Sequence, residues 1–227
     1  IEPPCGSNTY ILERSGDLLF IDCGFACYRD EMLAVFRSLF SDFDNRRKLL
    51  VITHADIDHT GLLDLFDVVY MNKSCYDNFV AEQRGEPNFR EQNRLHSPYC
   101  TLSKIISGYR PPRLGNAVIV GEKKSDAVFE DIGGFDFEGL WFELIEGYGG
   151  HVRGENLIVC EALGLVFTGD IYVNAEGFTD EQREFNTLAP YLMTSVNVDS
   201  AKAREERRQL FADYAGYRLM PAHGRSE

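Results

Sequence analysis

The stretch that decides the fold is Thr53-His54-Ala55-Asp56-Ile57-Asp58-His59-Thr60-Gly61. It follows an apolar run, Leu49 to Ile52, whose length and composition predict a short buried strand. Two imidazoles and two carboxylates therefore leave the end of one strand together, and divalent first-row metals take these ligand types. The alternative is a polar turn with a fortuitous histidine pair, and the interleaved aspartates argue against it. The stretch predicts a metal site that needs further ligands from elsewhere in the chain.

Length and charge narrow the class of protein. A chain of 227 residues with 44% hydrophobic content can bury a full core, and we predict one domain over residues 1–227. A net charge of −13 without a basic, aromatic-rich run argues against nucleic acid and leaves a small molecule as the expected substrate. No apolar run reaches the roughly 18 to 20 residues that span a bilayer, and the N-terminus has no signal pattern. The oligomeric state stays open, a homodimer included.

The spacing of the cysteines indicates the cellular compartment of the protein. Their spacing contains no Cys-x-x-Cys pair, which argues against a zinc-thiolate site, and several of them lie in apolar runs. Buried thiols in a reducing compartment are the expected state, so the sequence predicts a cytoplasmic protein. The six positions are Cys5, Cys23, Cys27, Cys75, Cys100 and Cys160.

Short strands open the chain. Asn8 to Leu12 and Leu18 to Ile21 predict a hairpin around the turn formers Ser15-Gly16-Asp17. Asp22 follows the second of these strands. Its carboxylate could support a metal-bound imidazole from behind or satisfy backbone amides at the strand end, and the sequence leaves both roles open.

The next segments alternate between helix and strand, which predicts an α/β arrangement. A helix is expected to begin at a capping Asp30 and to continue through Phe40. A second helix is expected over Thr60 to Phe66, and a strand over Val68 to Met71. From Ser74 to Gly108 the chain becomes polar and helical, which predicts an insertion beside the site that could act as a lid.

His96 lies within this insertion without other candidate ligands near it in the sequence. We expect it to be a surface or packing residue rather than a metal ligand.

The second half of the chain predicts another sheet. Gly133-Gly134 is expected to break its strands, and Gly147 to Gly150 to let the backbone pass close to another part of the molecule. The predicted strands are Ala117–Val120, Ala127–Glu130, Leu140–Ile145, the hairpin pair Leu157–Cys160 and Leu165–Thr168, and Tyr217–Met220, with a helix over Ser200–Ala215 before the last strand.

Three isolated candidate ligands follow or border strand ends in this half. They are His151 after the glycine-rich run, Asp170 after the hairpin, and His223 after the last strand. Each alone would more often be a core or turn residue, but the repeated placement at strand ends groups them with the first motif. The chain thus carries seven candidate ligands.

The order of these residues resembles the metallo-β-lactamase superfamily. The family signature is His-x-His-x-Asp-His followed by a distant His, an Asp and a His. Here the same order is His54-Ala55-Asp56-Ile57-Asp58-His59, then His151, Asp170 and His223, over nearly the whole chain. The resemblance implies an αββα sandwich of the α/β (α+β) class, with two mixed sheets face to face, helices outside, and metals at one edge.

The resemblance also implies how the ligands divide. One metal would take His54, Asp56 and His151, and the other would take Asp58, His59 and His223, with Asp170 bridging them. Asp56 departs from the usual pattern, because most hydrolases of the superfamily have His there. Flavodiiron proteins have Glu, and a carboxylate favours iron or manganese more than an imidazole does.

Three functions follow from the resemblance. The leading one is a hydrolase whose two divalent ions, zinc or iron/manganese, activate water against an ester, thioester, lactone or phosphoester, with Asp58 as ligand and catalytic residue. The second is a flavodiiron-like oxidoreductase that reduces oxygen or nitric oxide. It gains from Asp56 but needs a flavodoxin-like domain after the metal domain, whereas this chain stops four residues beyond His223. The third is a degenerate member that binds without turnover.

Overall fold

The structure, a computed structural model, describes residues 7–181, 183–184 and 195–226, so Cys5 lies outside the described residues. Its strands form two sheets of five, and helices lie on the outer face of each sheet. This arrangement confirms the predicted αββα sandwich with two mixed sheets.

The first sheet has the strand order β1-β2-β3-β4-β5. Its strands are β1 (Tyr10–Arg14), β2 (Asp17–Ile21), β3 (Lys48–Val51), β4 (Val68–Met71) and β5 (Ala117–Ile119). β1 and β2 form the predicted antiparallel hairpin, and the other neighbours are parallel. Because β2 and β3 are parallel, their carboxyl ends meet at one edge, which brings Asp22 next to the metal-motif loop.

The second sheet has the strand order β10-β9-β8-β7-β6. Its strands are β6 (Glu130–Phe137), β7 (Leu140–Glu146), β8 (Asn156–Cys160), β9 (Leu165–Gly169) and β10 (Arg218–Pro221). Neighbours are antiparallel except for β9 and β10, which are parallel. That parallel pair brings Asp170 and His223 to the same edge of the sheet.

Four helices of eleven residues or more are described. They are α1 (Arg29–Leu39), α2 (Lys73–Gln83), α3 (Ser97–Ser107) and α4 (Ser200–Asp213). The side chain of Asp199 caps α4 by accepting from the backbone amides of Ala201 and Lys202. Short 3-10 turns cover Ala26–Tyr28, Phe43–Asn45, Leu63–Leu65, Glu161–Leu163 and Ala175–Gly177.

The side chains of β2 point alternately to its two faces, and this explains how the layers pack. Leu18 and Phe20 face α1, where Phe36 packs, whereas Leu19 and Ile21 face the second sheet. The core between the sheets joins Leu19, Ile21, Leu49 and Val51 to Phe135, Phe137, Phe142, Leu144, Ile158, Cys160 and Phe167. On the far side of the second sheet, Leu210 of α4 completes a third apolar cluster.

The helix predicted over Thr60 to Phe66 is wrong. The segment contains turns and the 3-10 turn Leu63–Leu65, because backbone groups at the end of the motif bond to the loop after β2 instead of starting a helix. The amide of Gly61 donates to the carbonyl of Gly24 (2.7 Å), and the carbonyl of His59 accepts from the amide of Cys23 (2.9 Å). Tertiary hydrogen bonds therefore override the local pattern.

The strand predicted over Ala127–Glu130 and the break predicted at Gly133-Gly134 are also wrong. The strand β6 begins only at Glu130 and continues through both glycines, where the β6–β7 register shifts. A Cβ at Gly134 would lie 2.2 Å from the carbonyl oxygen of Phe142, so glycine lets the bulged strand approach its neighbour rather than break.

Asp30 does not cap α1. Tyr28 holds the N-cap position without a side-chain hydrogen bond, and Asp30 lies in the first turn, where a carboxylate favours the positive end of the helix.

The predicted insertion at 74–108 contains most of α2 and all of α3. His96 is packed and not a surface residue, since its exposed fraction is 1%. The assignment of residues 1–227 to one domain stays a prediction. Among the described residues, no helix is long and apolar enough to cross a membrane.

Candidate metal centre

Asp22 organises the loop that carries the metal motif. Its backbone has a positive φ of 55°, a region that Asp and Asn adopt more readily than most residues. One carboxylate oxygen, Oδ1, accepts from the backbone amide of Thr53 (2.8 Å). The other, Oδ2, accepts from the Thr53 hydroxyl (2.7 Å) and lies 2.9 Å from Nδ1 of His59. The carboxylate thus makes both contacts that the sequence left as alternatives.

These contacts fix the tautomers of two histidines. Since the Asp22 carboxylate can only accept, Nδ1 of the neutral His59 imidazole carries the proton and Nε2 presents its lone pair. The Thr53 hydroxyl donates to Asp22, so it accepts from Nδ1 of His54 (3.0 Å), which leaves Nε2 of His54 free as well. Both histidines are therefore oriented with Nε2 toward the cluster, as metal coordination requires.

We define the first triad as His54, Asp56 and His151. Its ligand atoms lie within 4.8 Å of one another. Oδ2 of Asp56 is 3.7 Å from Nε2 of His54 and 3.4 Å from Nε2 of His151. The aspartate side chain, one methylene shorter than glutamate, reaches the two imidazoles.

We define the second triad as Asp58, His59 and His223, whose ligand atoms also lie within 4.8 Å of one another. Oδ2 of Asp58 is 3.4 Å from Nε2 of His59 and 3.4 Å from Nε2 of His223. The residues of the two triads follow β3, β7 and β10, which belong to different sheets, and the structure brings them together at one edge.

Asp170 lies between the two triads. Its Oδ1 is 3.6 Å from Nε2 of His59 and 3.3 Å from Nε2 of His223. Its Oδ2 is 3.3 Å from Nε2 of His151. Each oxygen thus faces a different triad, which is the geometry that a bridging carboxylate needs.

Several atoms of this cluster are buried without a hydrogen-bond partner among the described residues. They are Nε2 of His54, Nε2 of His59 and Oδ1 of Asp170. Buried polar atoms are normally satisfied, and these three converge on one space. Two divalent ions fit the donor set, because imidazole nitrogens and carboxylates suit zinc, iron and manganese.

The charges of the cluster support the same fit. Burial alone would raise the pKa of Asp170, but His223, His151 and His59 outweigh it and lower the pKa to about 2. Burial likewise opposes the charge on His59, yet Asp58, Asp22 and Asp170 raise its pKa well above the usual value. Without metal, the carboxylates therefore favour the protonated form of His59, and a cation can take the place of that proton.

The glycine-rich run before His151 passes close to α4. A Cβ at Gly150 would lie 2.2 Å from the backbone nitrogen of Ala203, so only glycine fits there. The Gly150 amide donates to Glu206 (3.1 Å) on the same helix. Nδ1 of His151 lies 3.3 Å from Oδ1 of Asn197, which orients Nε2 toward the first triad.

Sequence reasoning missed two buried glutamates, Glu155 and Glu206, of which Glu155 supports Asp170. Oε1 of Glu155 accepts from the backbone amide of Asp170 (2.9 Å), and Glu155 has no exposed surface. Burial, together with Glu206 and Asp170, raises the pKa of Glu155 well above its usual value. Glu155 lies one residue before β8 and Glu206 lies within a charged helical stretch, so no local pattern distinguished them.

Sequence reasoning also missed Arg90, which lies in the loop between α2 and α3. Its Nη2 is 2.5 Å from Oδ2 of Asp56 and 2.5 Å from Nε2 of His151. Burial and the positive charge of Arg90 lower the pKa of His151. The predicted insertion therefore does reach the site, through an arginine rather than through His96.

A two-sheet αββα sandwich with a cluster of histidines and aspartates for two metals at one edge defines a class of dinuclear metalloproteins. The chain belongs to the metallo-β-lactamase superfamily, whose family model matches residues 3–212. The members of this superfamily bind a dinuclear metal centre and are mostly enzymes.

Solved structures share the fold at low sequence identity. A di-iron-bound form of TTHA1623 is 17% identical, with a TM-score of 0.56 over 99% of this chain and 91% of that one. The BLEG-1 B3 metallo-beta-lactamase is 17% identical, with a TM-score of 0.57 over 99% and 90%. A variant of the flavo di-iron protein from Thermotoga maritima is 14% identical, with a TM-score of 0.58 over 97% of this chain and 48% of that one.

This chain thus spans about half the length of the flavo di-iron protein. No match was found among curated proteins.

Proposed function

We propose that this protein is a metal-dependent hydrolase that holds one divalent ion in each triad. The observation that carries the proposal is the position of Asp170, whose two oxygens face different triads at 3.3 Å from His151 and 3.3 Å from His223. With Asp170 as the bridge, the proposed ligands are His54, Asp56 and His151 for one ion, and Asp58, His59 and His223 for the other.

When bound, such a pair of ions lowers the pKa of a water and polarises a carbonyl or phosphoryl oxygen. The chain supplies the group that orients the water. Burial alone would raise the pKa of Asp58, but His59 and His223 hold it well below its usual value. Asp58 therefore stays a carboxylate that can accept a hydrogen bond from the attacking water and direct its lone pair toward the substrate.

The substrate is proposed to be a small ester, thioester, lactone or phosphoester. The side chains of Asp58 and His223 are 22% and 18% exposed, so these two ligands of the second triad are partly accessible from solvent. We also propose the cytoplasm as the compartment, since four of the five described cysteines carry buried free thiols.

One observation favours a redox centre as the second candidate. Oδ2 of Asp56 lies within 3.7 Å of the imidazoles of both His54 and His151, so a carboxylate is available to the first ion. Carboxylate ligands stabilise ferric iron, as a flavodiiron-like reductase of oxygen or nitric oxide needs.

Asp56→His separates the two functions. In a hydrolase, the added imidazole should move metal preference toward zinc, and hydrolysis should survive or rise. In a redox centre, loss of the anionic ligand should raise the reduction potential and slow oxygen consumption. Metal content, oxygen uptake with a chemical reductant, and turnover of ester, thioester, lactone and phosphodiester substrates should be measured for both proteins.

Asp126→His is the matched control, because Asp126 is exposed. The control should match the wild type in every assay. Unchanged metal content and unchanged rates in Asp56→His would remove Asp56 from the proposed ligand set.

A further inference from the structure

The positively charged guanidinium of Arg90 lies against the ligand atoms of the first triad. The residue is 7% exposed, and its Nη1 donates to the carbonyl of Val196 (2.7 Å). Its Nη2 is 2.5 Å from both Oδ2 of Asp56 and Nε2 of His151. Two of the three ligand atoms of the first triad therefore face a guanidinium.

The loop that delivers Arg90 is held by a network of its own. The amide of Phe89 donates to Oδ1 of Asn78 on α2 (2.8 Å). Lys104 of α3 pairs with Glu82 of α2 (2.6 Å) and with Glu91 of the loop (2.7 Å). These contacts tie the loop to both helices, so the guanidinium is positioned by folded structure on each side of it.

A guanidinium and a divalent ion cannot share this position. A bound ion would lie about 2.0 to 2.2 Å from the same nitrogen and oxygen atoms, which is where Nη2 now approaches them. Like charges at such a separation repel strongly, more so in a buried site than in water. The ion can enter the first triad only if Arg90 moves away.

The second triad has different surroundings. Asp58 lies 3.4 Å from the imidazoles of His59 and His223, and no ion pair joins it to a lysine or arginine in the part of the chain that the structure describes. An imidazole can lose its proton to admit a metal, whereas an arginine stays charged.

We propose that Arg90 is an internal cation that competes with the metal ion for the first triad, so that the second triad fills first. This inference rests on the proposed dinuclear centre and adds an order of loading to it. The fraction of molecules in which Arg90 has left the triad sets the apparent affinity of the first triad for metal. If Arg90 occupies the triad in about 90 to 99% of metal-free molecules, that affinity falls roughly 10- to 100-fold.

The experiment compares zinc binding to the wild type, Arg90→Met and Arg94→Met, each stripped of metal by chelation. Arg94 is exposed in the same loop, so Arg94→Met removes the same charge without touching the triad. Calorimetric titration should give one tight and one weak zinc in the wild type and in Arg94→Met. In Arg90→Met the weak step should tighten by roughly 10- to 100-fold.

Two further substitutions, each combined with Arg90→Met, show which zinc-binding step belongs to which triad. In His223→Ala, which weakens the second triad, Arg90→Met should still tighten the remaining first-triad step. In His151→Ala, which weakens the first triad, Arg90→Met should leave the tight step unchanged. A change of equal size in both backgrounds would mean that Arg90 acts on the whole cluster through its charge, and it would overturn the proposal.

Two variants guard against loss of folding in Arg90→Met. Arg90→Gln removes the charge but keeps amide donors for Asp56 and Val196, and it should also tighten the weak step. Arg90→Lys keeps a cation and should retain two unequal steps. Circular dichroism before each titration identifies any variant that has unfolded.

Equal zinc affinities in the wild type, Arg90→Met and Arg90→Gln would overturn the order of loading and leave the dinuclear centre intact. Failure of the folded wild type to bind any zinc, iron or manganese would overturn the centre itself, and this inference with it.

Discussion

Each triad takes two of its three ligands from the same nine-residue motif, yet different groups support the two triads. In the second triad, Oδ2 of Asp22 accepts a hydrogen bond from Nδ1 of His59 (2.9 Å). In the first triad, the neutral hydroxyl of Thr53 backs His54 at 3.0 Å, and Arg90 faces the ligands from the other side. A carboxylate behind an imidazole strengthens its binding of a cation, whereas a guanidinium in front opposes it. Equal sets of ligand types therefore do not make equal sites.

Access to solvent also differs between the triads. In the first triad, the side chains of His54, Asp56 and His151 are 0%, 15% and 4% exposed. In the second triad, those of Asp58, His59 and His223 are 22%, 0% and 18% exposed. The second triad, which has a carboxylate behind it and no arginine in front of it, is thus also the more accessible one. This fits the proposed role of Asp58 in orienting water.

The largest effect is expected for Asp170→Ala, which tests whether the triads are joined at all. Both ions would lose a ligand and the negative charge that screens their mutual repulsion, so both occupancies should fall below those of any variant lacking one terminal ligand. Metal content after dialysis, measured by mass spectrometry, checks this.

Asp126→Ala removes a carboxylate from an exposed position and serves as the control for Asp170→Ala. Full retention of two metals in Asp170→Ala would show that the triads do not share this carboxylate.

A smaller effect, largest in the second triad, is expected for Asp22→Asn, because Asp22 contacts His59 directly and reaches His54 only through the Thr53 hydroxyl. Asparagine tolerates the positive φ of this position and can still accept from the Thr53 amide through Oδ1. Its amide nitrogen would face Nδ1 of His59 as a donor, which favours the tautomer with the proton on Nε2 and blocks coordination. We expect a roughly 10- to 100-fold loss of affinity for the tight metal.

Titration with zinc measures this loss, and the weak step should change much less. If the weak step lost as much affinity as the tight step, Asp22 would support both triads equally and the contrast between them would fail.

The smallest effect concerns pH. Burial opposes the charge on His59 and on His223, but nearby aspartates raise the pKa of both above the usual value. In the metal-free protein, their protonation stabilises the fold below about pH 6.5, and this stability is lost as the pH rises through the raised pKa values. Metal binding needs the deprotonated imidazoles, so its stabilising effect grows over the same range.

The unfolding temperature of metal-loaded protein should therefore exceed that of metal-free protein by a margin that widens from about pH 6 to about pH 9. A widening of several degrees is expected, since about 1 kcal/mol shifts the unfolding temperature of a chain of this size by roughly 2 to 4 °C. A constant margin across this range would contradict the raised pKa values.

Strand positions were predictable where a short apolar run ended in turn formers. The strand Val68–Met71 has the predicted bounds, and the hairpin of β8 and β9 forms as expected. The segment after the motif was not predictable, because the amide of Gly61 bonds to Gly24, which is distant in sequence. Local patterns fail where a remote backbone group competes for the same hydrogen bond.

The seven candidate ligands were identifiable because each is a chemically distinctive side chain beside a strand end. Arg90 and Glu155 were not identifiable in that way. An arginine in a polar loop or a glutamate before a strand is ordinary on a protein surface, and only its burial makes it part of a site. The structure buries Arg90 against Asp56 and Glu155 beneath Asp170.

By itself, the sequence determined most strand positions, through apolar runs of strand length, and the order of ligand types at their ends carried the resemblance that implied the fold. Those properties are local, since hydrophobic periodicity and side-chain chemistry do not depend on distant residues. Only the tertiary structure decided that Asp170 faces both triads and that the triads differ in charge. Those properties depend on which loops meet at the sheet edge, and electrostatic interactions depend on distances and burial that no sequence spacing fixes.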